Sequence, residues 1–229
     1  MPTPDEATVS VGFVGSLGRA CFSDVWLNAC PGRDILYRTG TRRALLAAVA
    51  ADALHIAIYP GAAEPGCDTL LLCEDRLVVA LGAGHALTAR DRIGTADLQA
   101  HPVLLPMEGE ESDFRRLIYE MVPGLGALGE VPLPALRQRL ATSDALALFA
   151  ESQDELRGGF VTRPIAGADT RFPVHLSWSP QAAALGVPAL LARQISPPPP
   201  PFAINAAGRG QDDAGGGATH NGAGDNVLG

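Results

Sequence analysis

Residues 8–14 alternate apolar and small positions (Val9-Ser10-Val11-Gly12-Phe13-Val14), the period of a β-strand. The strand runs into a turn of small residues, Gly15-Ser16-Leu17-Gly18, that carries an exposed hydroxyl. Phe22, Val25 and Trp26 then share one face of a short helical segment at 20–28, which Pro31-Gly32 stops. Asp34-Ile35-Leu36-Tyr37-Arg38 reads as a second strand. Thr39-Gly40-Thr41 supplies an N-cap for a helix running through Ala51, with Leu45, Leu46 and Val49 inward. A third strand spans Leu54 to Tyr59 and ends at Pro60-Gly61. Strands alternating with helices in this way predict a parallel sheet with right-handed crossovers.

The second part of the chain carries two apolar stretches, Thr69–Cys73 and Arg76–Leu81, separated by Glu74-Asp75. Thr95-Ala96-Asp97-Leu98 reads as one helical turn and Val103-Leu104-Leu105-Pro106 as a short buried strand. Phe114, Leu117, Ile118 and Met121 recur at i, i+3, i+4, i+7, predicting an amphipathic helix over 111–121. Further helices are expected around 134–140 and 144–151, strands at Gly159–Arg163 and Val174–Trp178, and a closing helix at about 181–194. From Ser196 the composition changes. Pro197 to Pro201 lead into a Gly-, Ala-, Asn- and Asp-rich segment to Gly229, which holds too little apolar surface to offset the entropy of ordering it; 196–229 is expected to be a disordered tail.

Composition narrows the function classes. The chain has 229 residues, 47% of them hydrophobic, enough for one large or two small compact units. Its apolar stretches are shorter than the roughly 20 residues a membrane span needs, and Met1-Pro2-Thr3-Pro4-Asp5-Glu6 lacks the basic start and apolar core of a signal peptide. A soluble, cytoplasmic protein without membrane contact is expected. The net charge is −8, from 17 Lys and Arg against 25 acids, so direct DNA binding by this chain is disfavoured. The four cysteines form no C-x-x-C pair and no His cluster has ligand spacing, so free thiols, no metal and no cofactor are expected.

Several passages then take on meaning together: Thr39 to Leu46 followed by Leu54-His55-Ile56-Ala57-Ile58; Leu77-Val78-Val79-Ala80-Leu81 with Gly84-His85-Ala86-Leu87; Ala96-Asp97-Leu98 with His101-Pro102-Val103-Leu104-Leu105; and Gly158-Gly159-Phe160-Val161 with Arg163-Pro164-Ile165 and Leu176-Ser177-Trp178. In this order and spacing they resemble the effector-binding (regulatory) domain of LysR-type transcriptional regulators over residues 8–195. The opening Gly12-Phe13-Val14-Gly15-Ser16 is most similar to members that govern aromatic-compound catabolism. The chain departs from the family at His55, where an Asp is usual, and at Ser143-Asp144-Ala145, which replaces a Gly-hydrophobic-Gly stretch. The helix before Pro31 is short, and no winged helix-turn-helix precedes the first strand, as expected of an excised or a natural stand-alone regulatory domain.

The resemblance implies an α/β fold of two Rossmann-like lobes with an interlobe cleft, like a type-2 periplasmic binding protein. Lobe I would comprise 8–79 and 177–195 and lobe II 80–176, the chain crossing near 79–82 and 175–178. Ser16, Leu17 and Gly18 lie where the first strand meets a helix, whose N-terminal N–H groups suit a carboxylate. Thr41 and Arg42 repeat that arrangement; Thr41 can cap the helix and touch a ligand, while Arg42 is expected to be solvated unless it turns inward as a bidentate partner. Tyr59 and Pro60 from the first lobe, and Pro106, Met107 and Glu108 from the second, are expected to face the cleft. Ser143 and Asp144 are expected to precede a helix, as caps or ligand contacts, and His55 is read as structural.

Three function classes remain. The leading one is a small-molecule sensor, with an organic-acid effector, ligand-controlled lobe closure, a DNA-binding domain elsewhere, and homodimers or tetramers formed through the regulatory domains. A stand-alone enzyme would need a nucleophile with a base; Cys21 is the one candidate, Phe22 and Trp26 beside it suggest burial, and His55, His85, His101, His175 and His220 are scattered with no G-x-S-x-G elbow. No enzyme activity is expected. A degenerate oligomerisation module is the third.

Overall fold

The computed structural model describes residues 8–15, 17, 30, 32–106, 113–153 and 159–195. Strand β1 (Thr8–Phe13) is buried along nearly its whole length between β2 (Asp34–Thr39) and β3 (Ile56–Pro60), both parallel to it. Burial on both faces explains its near-continuous apolar run. Helix α1 (Arg42–Ala50) forms the crossover, and Thr41 caps it as expected, its hydroxyl oxygen accepting the N–H of Ala44 at 3.2 Å. The helix lies close on β1: a Cβ at Gly12 would sit 2.5 Å from a Leu45 methyl and 2.7 Å from one of Leu54.

The two apolar stretches around Glu74-Asp75 form one unbroken strand, β4 (Thr69–Gly82). Its first half pairs with β9 (Arg171–Trp178), itself antiparallel to β3; its second half pairs with β7 (Leu146–Ala150) and β8 (Phe160–Pro164). The change of partner falls between Arg76, opposite Arg171, and Leu77, opposite Ala150, a few residues before the expected 79–82. Because β9 lies wholly in the first sheet, the chain returns between Pro164 and Arg171 rather than near 175–178. The acidic interruption is tolerated because Asp75 is satisfied internally, its carboxylate accepting from the Ser152 hydroxyl at 2.5 Å and from the Arg76 N–H at 2.7 Å.

Beyond the junction, β5 (Val103–Pro106) runs parallel to β6 (Leu128–Val131) and β7. Helices α2 (Thr95–Ala100), α3 (Asp113–Met121) and α4 (Leu133–Thr142) connect these strands. The order is β2-β1-β3-β9-β4 on one side and β6-β5-β7-β4 on the other, with β8 against β4. These are two Rossmann-like lobes sharing one long strand, the arrangement of type-2 periplasmic binding proteins. The lobes also share a core: Phe114 of α3 meets Phe172 of β9 edge to face at 6.2 Å, both buried.

Three elements differ from the pattern reading. The stretch 144–151, read as a helix, is β7: Leu-Ala-Leu-Phe-Ala has no polar position to set a period, and burial between β5 and β4 makes it a central strand. Strand β6 was not anticipated, because Leu128-Gly129-Glu130-Val131 is short and weakly apolar. The closing helix is two, α5 (Pro180–Ala184) and α6 (Val187–Ile195), interrupted at Leu185-Gly186. The helix expected at 20–28 and the tail at 196–229 lie outside the described residues. Among those residues no helix is long and apolar enough to cross a membrane.

Candidate functional site

Strand directions locate the cleft. Pro60 of β3 pairs with Val174, toward the Arg171–Arg76 junction, so the carboxyl ends of β1, β2 and β3 point at the second lobe. Ala150 pairs with Leu77 at the same junction, so the carboxyl ends of β7 and of the parallel β5 point back. Ligands in open α/β sheets bind outside such ends. Thr41 and Arg42 stand there, as does Pro106 at the end of β5, although Pro106 itself is buried. Leu17 is buried, its N–H donating to the Val14 carbonyl at 3.0 Å, and so contributes to the core. Ser16, Gly18, Met107 and Glu108 lie outside the described residues, as does Cys21.

Arg42 is not solvated. Its guanidinium lies 4.6 Å from the centroid of the Tyr59 ring and donates to the Glu64 carboxylate at 2.7 Å and the Ala62 carbonyl at 2.9 Å; its side chain is 15% exposed. It braces the start of α1 against the segment after β3, and a carboxylate of the chain already holds the place a ligand would take. Tyr59 is equally committed: fully buried, its hydroxyl bonds Ser177 Oγ at 2.9 Å and accepts the Glu64 N–H at 3.2 Å. Pro60 is buried too. Tyr59 and Pro60 therefore underpin the first lobe's rim and do not form an open wall.

At the junction sits a polar group that pattern reading missed. Asp75 is 2% exposed, and besides Ser152 Oγ it accepts the Ser152 N–H at 3.3 Å. Leu77 N–H donates to the Thr170 carbonyl at 2.8 Å and Glu151 N–H to that of Arg76 at 2.7 Å, tying both crossings together. Gln153 beside them is 5% exposed, and its Oε1 is buried without a hydrogen-bond partner. The available signal was the acid inside an apolar run, which a strand retains only where donors meet it.

Ser143 and Asp144 are not in the cleft. They follow the end of α4 and precede β7 at its amino end, one strand length, roughly 15 Å, from the junction. Ser143 closes the helix instead of opening one: its hydroxyl donates to the Arg139 carbonyl at 2.7 Å and accepts the Ala145 N–H at 3.3 Å. Both residues line a separate cavity of about 360 Å³. His55 is structural as read, its Nδ1 2.7 Å from Ser10 Oγ and within reach of the Ser10 N–H at 3.1 Å. Cys30, Cys67 and Cys73 are free thiols, and burial pushes the Cys30 thiol up despite the nearby Arg33. Among the described residues no group of three His, Cys, Asp or Glu side chains could hold a metal.

The family model described as the LysR substrate binding domain matches residues 4–193. No curated protein matches the chain in sequence. Solved structures do match in fold. The reduced regulatory domain of OxyR from Pseudomonas aeruginosa is 20% identical with a TM-score of 0.65, over 82% of this chain and 98% of that one. The BenM effector binding domain, solved with its effector benzoate, is 18% identical with a TM-score of 0.67, over 82% and 91%. Full-length BenM is 18% identical with a TM-score of 0.68, over 82% of this chain and 67% of that one.

Proposed function

The chain belongs to the LysR substrate binding domain family, and from that premise we propose that it senses a small organic acid in the interlobe cleft and relays its presence by lobe closure. The observation that carries this reading is the start of α1. A capped helix N-terminus stands at the convergent carboxyl ends of three parallel strands, with Thr41 half-buried and the first N–H groups directed toward the cleft side. Such an end carries about half a positive charge and unpaired donors, suited to a carboxylate. The lobes are joined by the continuous β4 and the return segment before β9, so a ligand touching both would favour a closed arrangement in proportion to its preference for that state. Closure would act on DNA through a separate DNA-binding domain, within a dimer or tetramer formed by regulatory domains. The action proposed is binding without turnover, in keeping with the match to a substrate binding domain.

A thermal-shift screen of aromatic acids, dicarboxylates and amino acids tests the proposal. A true effector at one hundred times its Kd stabilises the protein by about 2.7 kcal/mol. Thr41→Ala is expected to abolish that response while costing about 1 kcal/mol of stability through the lost cap. No stabilisation by any carboxylate, or formation of product from one, would overturn it.

A further inference from the structure

We propose that the cavity at the far end of the second lobe is a second small-molecule site, selective for an organic ammonium ion. Gly82, His85, His101, Leu140, Ser143 and Asp144 contribute to its lining, and its volume of about 360 Å³ is that of a small-ligand pocket. It forms where β4 ends against the last turn of α4, an approach that needs glycine, since a Cβ on Gly82 would overlap the Leu140 carbonyl oxygen.

The hydrogen-bond inventory of the lining selects the ligand. His85 Nδ1 accepts the Leu87 N–H at 3.1 Å, so its proton is on Nε2, which donates to the Asp144 carbonyl at 3.2 Å. The Ser143 hydroxyl donates to the Arg139 carbonyl at 2.7 Å and the Thr142 hydroxyl to the Gln138 carbonyl at 2.8 Å. These donors are all engaged within the protein. Acceptors remain. The Asp144 carboxylate is 70% exposed; it lies 3.6 Å from Nδ1 of His101, whose ring carries a proton on one of its two nitrogens. The end of α4 adds the negative pole of a ten-residue helix. Arg139, the basic residue of that last turn, is exposed and is not part of the lining. The open carboxylate and the negative pole of the helix favour a ligand that brings N–H donors and positive charge.

The imidazoles of His85 and His101 complete the fit, their rings 4.9 Å apart at 66°. Together they make an aromatic corner for the carbon skeleton beside the ammonium group. The site does not depend on the cleft: its carboxylate stands at the amino end of β7, one strand length from the junction.

The test is a titration of the whole chain with cyclohexylammonium chloride, following the imidazole signals of His85 and His101 by NMR, with cyclohexanol and cyclohexanecarboxylate as matched neutral and anionic probes. The ammonium ion alone is expected to shift both rings saturably. Asp144→Asn, an exposed and structurally mild change, is expected to weaken that binding about tenfold. His101→Gln weakens it as well, whereas Thr41→Ala leaves it unchanged. Absence of a saturable shift, an equal response to the alcohol, or unaltered affinity in both Asp144→Asn and His101→Gln would overturn the proposal.

Discussion

Two helix ends in this molecule present opposite polarity. At the start of α1 the cationic side chain is neutralised by the protein, because Arg42 is held by Glu64, the Ala62 carbonyl and the Tyr59 ring. What the helix start itself offers is the positive pole of its backbone N–H groups. At the end of α4 the donors of Ser143, Thr142 and His85 are turned inward, and acceptors face the cavity. Side chains that look like ligand contacts in a sequence can thus be consumed by the fold, and the two proposed sites then rest on the poles of their helices. Each helix also rests on a strand glycine, Gly12 under α1 and Gly82 under α4.

The largest expected effect separates those two glycines. Gly82→Ala drives a methyl into a backbone carbonyl that cannot step aside and should cost about 3 kcal/mol, whereas Gly12→Ala meets only the methyl ends of Leu45 and Leu54 and should cost about 1 kcal/mol. Urea unfolding of both variants measures the difference; equal costs would mean that α4 is as free to shift as the Leu side chains over Gly12. Next comes the junction. Asp75→Ala removes the carboxylate that accepts from the Ser152 N–H and hydroxyl and should cost about 2 kcal/mol in the same assay, part of it recovered in Asp75→Ala/Ser152→Ala. The smallest effect tests the brace. Arg42→Ala should cost about 1 kcal/mol. It should change the affinity of a cleft-bound acid by less than about twofold, well inside the 1.4 kcal/mol that a factor of ten represents. A tenfold loss of acid affinity would instead make Arg42 a ligand partner and erase the contrast between the two ends.

Much of the architecture was legible because burial writes itself into periodicity. Strands β1, β3 and β5 and the amphipathic α3 followed from the spacing of apolar positions, and Thr41 from the chemistry of a helix cap. β7 was not, since five consecutive apolar residues satisfy a buried helix and a buried strand alike until neighbours appear on both sides. The site was less legible still. Nothing local in Arg42-Arg43 tells that Glu64 will meet the first arginine and leave the second exposed. His85 and His101, scattered along the chain, come within ring contact only because β4 and the segment before β5 end at the same edge.

By itself, then, the amino-acid sequence determined the α/β alternation, the family and the capped start of α1, because these depend on residues near one another along the chain. Tertiary structure alone decided that one strand serves both lobes, that Asp75 is buried at their junction, and that Ser143 and Asp144 belong to a second cavity. Each of those outcomes depends on which distant group arrives as a partner, and hydrogen-bond satisfaction at a buried atom is a property of the assembled neighbourhood rather than of the residue.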